Sequence, residues 1–164
     1  MNNPVTKDYI HFEDLEVGQT IDLGATRLTK DMIISFAKRF DPFPFHIDEE
    51  AAKSSLLGGI AASGWHTGAI ALKKLLENFP KKLASAGGLG FTNLKWKRPV
   101  MAGDTIGGTV TITGLRRTKS RPQWGIVTLD FDIKNQKSQT VMTMILENLV
   151  DVRNPKTTTG KSQK

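Results

Sequence analysis

Cysteine is absent from this sequence. Its absence excludes disulfide bonds, thiolate metal sites, iron–sulfur clusters and a cysteine nucleophile. The first residues, MNNPVTKDYIHFEDLEVG, also lack the apolar core that a secretory signal requires. We therefore expect a cytoplasmic protein.

Motifs of several common enzyme sites are missing as well. There is no Gly-x-Ser-x-Gly nucleophile elbow and no Gly-x-x-x-x-Gly-Lys-Ser/Thr phosphate-binding loop. His46, Asp48 and His66 match no local spacing of metal ligands. We therefore expect no metal site.

The composition is that of one globular domain. The 164 residues include 38% hydrophobic and 24% charged side chains, and the mean hydropathy is -0.27. These values argue against an integral membrane protein and against a fully disordered chain. We expect one domain over residues 1–152 and a basic, disordered tail over residues 153–164.

The net charge of +7 is concentrated in two places. One is the tail, and the other is the segment 92–121, which has seven basic residues and a single acid, Asp104. Such a segment could bind a phosphate-bearing small molecule or nucleic acid, or it could be a solvated basic face. We regard nucleic acid as the less favoured partner.

Helix signals come early in the chain. Thr29 is placed to cap a helix over Lys30–Phe40, whose apolar residues follow helical spacing. Two prolines then predict an extended turn over residues 41–46, and Asp48 is placed to cap a brief helix.

Nineteen consecutive uncharged residues lie between Lys53 and Lys73. A membrane span has this length, but the glycines, serines and His66 within the run make a span unfavourable. We predict instead a glycine-rich turn followed by a central helix from Ser63 to about Asn78, buried nearly all round.

The last part of the chain has a composition typical of β-strands. Runs rich in Val, Ile and Thr, separated by turn residues, predict strands over 89–100, 105–115, 123–133 and 139–150. One early strand, then helices, then four strands without an intervening helix indicate an α+β protein with an antiparallel sheet. This order is what a hot-dog fold requires, with the sheet wrapped around the central helix.

The octapeptide from Asp41 to Asp48, DPFPFHID, carries the most chemical information. A carboxylate and an imidazole held close together by prolines can share a water molecule and perform acid–base chemistry. The alternative is that Asp41, His46 and Asp48 are ordinary turn and capping residues. Spacing alone favours the alternative.

The pattern Asp-x-x-Pro-x-His-x-Asp, followed by GGIAASGWH over residues 58–66, resembles the MaoC-like dehydratases. These are hot-dog enzymes related to the (R)-specific enoyl-CoA hydratases. The stretch KRPVMAGDT over residues 97–105 is also similar to that family, and the resemblance extends from about Phe12 to Asp151.

The resemblance implies a site. Asp41 and His46 match the catalytic pair that adds water syn across the double bond of a trans-2-enoyl thioester. Gly64 matches the glycine whose backbone N–H faces the thioester oxygen, and a helix N-terminus is a suitable donor for that oxygen. Phe43 replaces an asparagine that is common in such hydratases, which affects the expected substrate.

From the same resemblance we expect Phe43, Ser63 and Trp65 to contact the substrate. No cofactor is implied apart from coenzyme A as part of the substrate. The chain is expected to form a homodimer or a higher multiple of dimers, because a lone hot-dog domain exposes a strand edge.

Two other functions remain open from the sequence. One is a thioesterase on the same fold, and the other is a non-catalytic module that binds acyl-CoA or nucleic acid. Three tryptophans, Trp65, Trp96 and Trp124, could line an acyl tunnel, although core packing is the favoured role for them, as it is for His66.

Overall fold

A computed structural model describes residues 9–155 of the chain. Its twelve elements are β1 (Tyr9–Ile10), a 3₁₀ turn (Phe12–Asp14), β2 (Thr20–Arg27), α1 (Lys30–Phe40), α2 (Pro44–Ile47), α3 (Glu49–Lys53), α4 (Gly64–Asn78), β3 (Lys82–Leu83), β4 (Ser85–Trp96), β5 (Thr105–Arg117), β6 (Trp124–Asn135) and β7 (Thr140–Asp151).

Five strands form one antiparallel sheet in the order β2-β5-β6-β7-β4. Alternate residues of β6, including Leu129, Phe131 and Ile133, are fully buried and join Ala71 and Leu75 of α4 in one core. The sheet therefore packs around α4. This is the hot-dog fold that the order of elements predicted.

Helix α1 begins and ends where the sequence predicted. The Oγ1 atom of Thr29 accepts a hydrogen bond from the Met32 N–H at 3.3 Å, which satisfies a donor that has no partner within the helix. Ile33 and Ala37 are buried, whereas Phe40 is largely exposed.

The predicted extended turn over residues 41–46 is only partly right. Phe43 is extended, as the residue before a proline must be, but Pro44 starts the helical turn α2. Proline fits the first helical position because the N–H that it lacks would have no partner there. Asp48 then caps α3 as predicted, with Oδ1 accepting from the Ala51 N–H at 2.8 Å.

The prediction that α4 is buried nearly all round is wrong for this chain. Ser63 caps the helix, and Thr67, Ala71 and Leu75 are buried on one side, whereas His66 is buried against Phe36 of α1. Trp65 and Leu76 are 57% and 60% exposed on the other side. The uncharged composition of the segment could not show that only one side faces the sheet.

The four predicted late strands are present, with β4 beginning earlier and ending earlier than expected. Arg153, assigned to the tail from sequence, forms an ion pair with Asp14. The rest of the predicted tail, from residue 156, lies outside the described residues. None of the helices in residues 9–155 is both long enough and apolar enough to span a membrane.

Candidate active site

The short connection from α1 to α2 brings Asp41 and His46 together. Asp41 is the C-cap of α1 and His46 lies five residues later in α2, and the break between the two helices brings their side chains together. The distance from Asp41 Oδ2 to His46 Nε2 is 3.6 Å. Both side chains are mostly buried.

The hydrogen bond of His46 Nδ1 shows which ring nitrogen carries the proton. Nδ1 lies 2.7 Å from the backbone oxygen of Ala61, and because a carbonyl can only accept, Nδ1 carries the proton. In the neutral ring, Nε2 is then a free acceptor beside the Asp41 carboxylate. The distance of 3.6 Å exceeds that of a hydrogen bond, so the two acceptors can both bind one water molecule.

The N-terminus of α4 lies at the same site. Gly64 and His46 both line a cleft of about 340 Å³, whereas Asp41 lies 3.6 Å from His46 but does not line the cleft. Ser63 Oγ accepts from the Trp65 N–H at 3.2 Å. The Gly64 N–H makes no hydrogen bond to any of the residues between 9 and 155.

The three residues expected to contact substrate lie outside this cleft. Phe43 is 58% exposed and stacks on Phe45, with ring centroids 5.4 Å apart. Ser63 is fully buried and caps α4, and Trp65 lines a neighbouring groove. Helical winding at α2 places Phe45, rather than Phe43, in the cleft wall and against the His46 ring.

Sequence reasoning missed Phe45 and Thr67 in the cleft wall. Phe45 is separated from Phe43 by a single proline, and only the conformation of α2 decides which ring faces inward. Thr67 lies one helical turn after Gly64, a spacing that places the two on the same side of α4. Helical spacing from Gly64 was therefore the signal that could have found Thr67.

His66 is a core residue, as the sequence favoured. Its ring stacks on Phe36 with a centroid distance of 4.4 Å, and burial lowers the pKa of His66. Trp124 starts β6 beneath the Arg121 guanidinium and lines neither the cleft nor the neighbouring groove. Within the described range 9–155, no three His, Asp or Glu side chains are grouped so as to hold a metal.

The basic segment 92–121 is divided between the site and the surface. Lys97 and Arg98 line the cleft. Arg117 forms an ion pair with Glu13 at 2.9 Å, and Arg116 lies 3.6 Å from Glu147. Only part of the predicted basic patch therefore faces the candidate site.

Residues 13–132 match the model of the MaoC like domain. The chain belongs to the MaoC-like family. Members of this family include dehydratases and hydratases, so membership supports a hydro-lyase type of enzyme.

Two curated relatives are similar to this MaoC-like chain. One is an (R)-specific enoyl-CoA hydratase of Rhodospirillum rubrum, 31% identical over 64% of this chain and 71% of the relative. The other is the uncharacterized protein YdeM of Bacillus subtilis, 30% identical over 76% of this chain and 87% of the relative.

A solved structure is also similar. The crystal structure of a MaoC-like dehydratase from Rhodospirillum rubrum superimposes with a TM-score of 0.78 at 39% identity. The match covers 88% of this chain and 99% of that structure.

Proposed function

We propose that this protein is an acyl-CoA hydratase or dehydratase, which reversibly adds water to a trans-2-enoyl-CoA to give a 3-hydroxyacyl-CoA. The observation that carries the proposal is the pairing of Asp41 with His46, whose Nε2 is left as an acceptor by the bond from Nδ1 to Ala61. The R. rubrum hydratase relative supports the same reaction.

The proposed chemistry uses three groups. A water held by Asp41 and His46 loses a proton to the pair, and its oxygen forms a bond to the β-carbon. The π electrons move to the thioester oxygen, where the Gly64 N–H at the start of α4 stabilises the enolate charge. The pair then returns the proton to the α-carbon on the same face, which makes the addition syn.

Coenzyme A fits the charge of the cleft mouth. Lys97 and Arg98 line the cleft, and their positive charges can interact with the phosphates of coenzyme A. We propose that the reaction takes place in the cytoplasm within fatty acid metabolism, with no further cofactor and no metal.

Hydration and thioester hydrolysis can be separated by their products. We expect at least one of crotonyl-, hexenoyl- or decenoyl-CoA to lose its conjugated enoyl absorbance while no free thiol forms, because water attacks the β-carbon and leaves the thioester intact. Absorbance and a thiol reagent, read on the same sample, check this. Release of thiol from saturated acyl-CoAs, with no enoyl-CoA hydrated, would instead assign the protein as a thioesterase.

The exposed edge of β4 supports the proposal that the protein is a homodimer. Among residues 9–155, β4 is an edge strand that pairs with β7 alone, and most of its residues are exposed. Leu89 and Phe91 on this strand are each 50% exposed. An exposed apolar edge strand is a template for pairing with a second chain, so we propose that two copies join through β4.

Sedimentation of the purified chain should show a dimer or a multiple of dimers. Leu89→Glu should shift the protein towards monomer, because it places a charge in the proposed interface. Val17→Glu, at a residue that is also exposed and apolar but precedes β2, should leave the assembly unchanged. An active wild-type monomer at micromolar concentration would contradict the proposal.

A further inference from the structure

Trp96 stands at the junction of two cavities. The cleft with His46 has a volume of about 340 Å³, and a separate groove along α4 and β4 has a volume of about 200 Å³. Within the part of the chain that the structure describes, their walls share only Gly64 and Trp96. These two residues therefore separate the cleft from the groove.

The groove is apolar throughout. Its wall includes Leu72, Phe91, Leu94 and Met144, and none of the wall residues that the structure describes is charged. Moving apolar surface out of water lowers the free energy. This groove therefore suits an alkyl chain and offers little to a polar ligand.

The Trp96 indole occupies the space beside Gly64. A Cβ atom placed on Gly64 would lie only 2.3 Å from Trp96 Cε2 and 2.5 Å from Nε1, so the indole packs directly on the glycine backbone. Trp65 packs edge-on against the same indole, with centroids 5.4 Å apart and an interplanar angle of 79°. Two contacts therefore hold the ring across the junction.

The proposed substrate places its thioester oxygen at the Gly64 N–H, so the acyl tail starts beside this junction. We infer that Trp96 is a specificity-determining residue, which closes the apolar groove to the acyl tail and makes the enzyme selective for short enoyl chains. This inference rests on the proposed function.

The test compares chain lengths in matched variants. Wild type, Trp96→Ala, Trp96→Phe and Trp124→Phe are assayed with crotonyl-, hexenoyl- and decenoyl-CoA. We expect the ratio of kcat/KM for decenoyl-CoA to that for crotonyl-CoA to rise at least about tenfold in Trp96→Ala, because several more methylene groups become buried. The rise should be smaller in Trp96→Phe. Trp124→Phe should leave the ratio unchanged, since Trp124 lines neither cavity.

A binding measurement keeps the two proposals separate. Calorimetry with butyryl-CoA and decanoyl-CoA, which cannot be hydrated, should show that Trp96→Ala strengthens decanoyl binding relative to butyryl binding by about the same factor. Trp96→Leu gives a second variant that keeps an apolar side chain in case Trp96→Ala does not fold.

Unchanged chain-length ratios and unchanged relative affinities in folded Trp96 variants would overturn the role of Trp96, even if the wild type hydrates enoyl-CoA. Conversely, a wild type that hydrates no enoyl-CoA, together with Trp96-dependent binding of long acyl chains, would reject the proposed function and support the role of Trp96.

Discussion

Asp41→Asn and His46→Gln should each lower the turnover of enoyl-CoA hydration by about a hundredfold or more. Asparagine keeps the shape of Asp41 but cannot accept a proton from the bound water. Glutamine removes the imidazole Nε2, which the bond to Ala61 keeps available as an acceptor. The measurement is kcat on the best enoyl-CoA substrate, together with the free energy of unfolding of each variant.

Asp48→Asn is the matched control. Asp48 lies in the same segment, but its carboxylate caps α3 by accepting from Ala51, and asparagine caps equally well. We therefore expect near-normal turnover and stability in this variant. Near-normal turnover in both Asp41→Asn and His46→Gln would show that the pair is not catalytic. A loss of stability large enough to account for the lost activity would show that the pair is structural.

Those parts of the fold that depend on local chemistry could be predicted from the sequence. Thr29 and Ser63 cap the two longest helices because their hydroxyl oxygens accept from nearby backbone N–H groups, a contact set by a few adjacent residues. The strand runs were also visible, since their β-branched residues and turns are local signals.

The sequence did not indicate features that a distant contact or a small change of winding decides. Pro44 is compatible with both an extended turn and the start of a helix. Because it starts a helix, Phe45 lines the cleft and Phe43 does not. The contact of Trp96 with Gly64 joins residues on two elements that are far apart in the sequence. No periodicity within either element reveals it, so the junction of the two cavities was not predicted.

The role of the Gly64 N–H can be tested without moving any side chain that handles the proton. Gly64 is the first residue of α4, a position that tolerates proline, and Ser63 before it has φ −53° and ψ 142°. That extended conformation is the one required before a proline. Gly64→Pro would therefore remove the N–H while the helix start is kept.

Because any Cβ at position 64 would collide with Trp96, the comparison must be made in a Trp96→Ala background. There, Gly64→Ala and Gly64→Pro both introduce a Cβ, but only the proline removes the donor. We expect the proline variant to turn over crotonyl-CoA about a hundredfold to a thousandfold more slowly than the alanine variant, which is the usual effect of losing one oxyanion donor. Circular dichroism and thermal unfolding would check that both fold alike. Equal turnover in two equally folded variants would mean that the charge on the thioester oxygen is stabilised elsewhere, and Gly64 would then be required only for the close packing of Trp96.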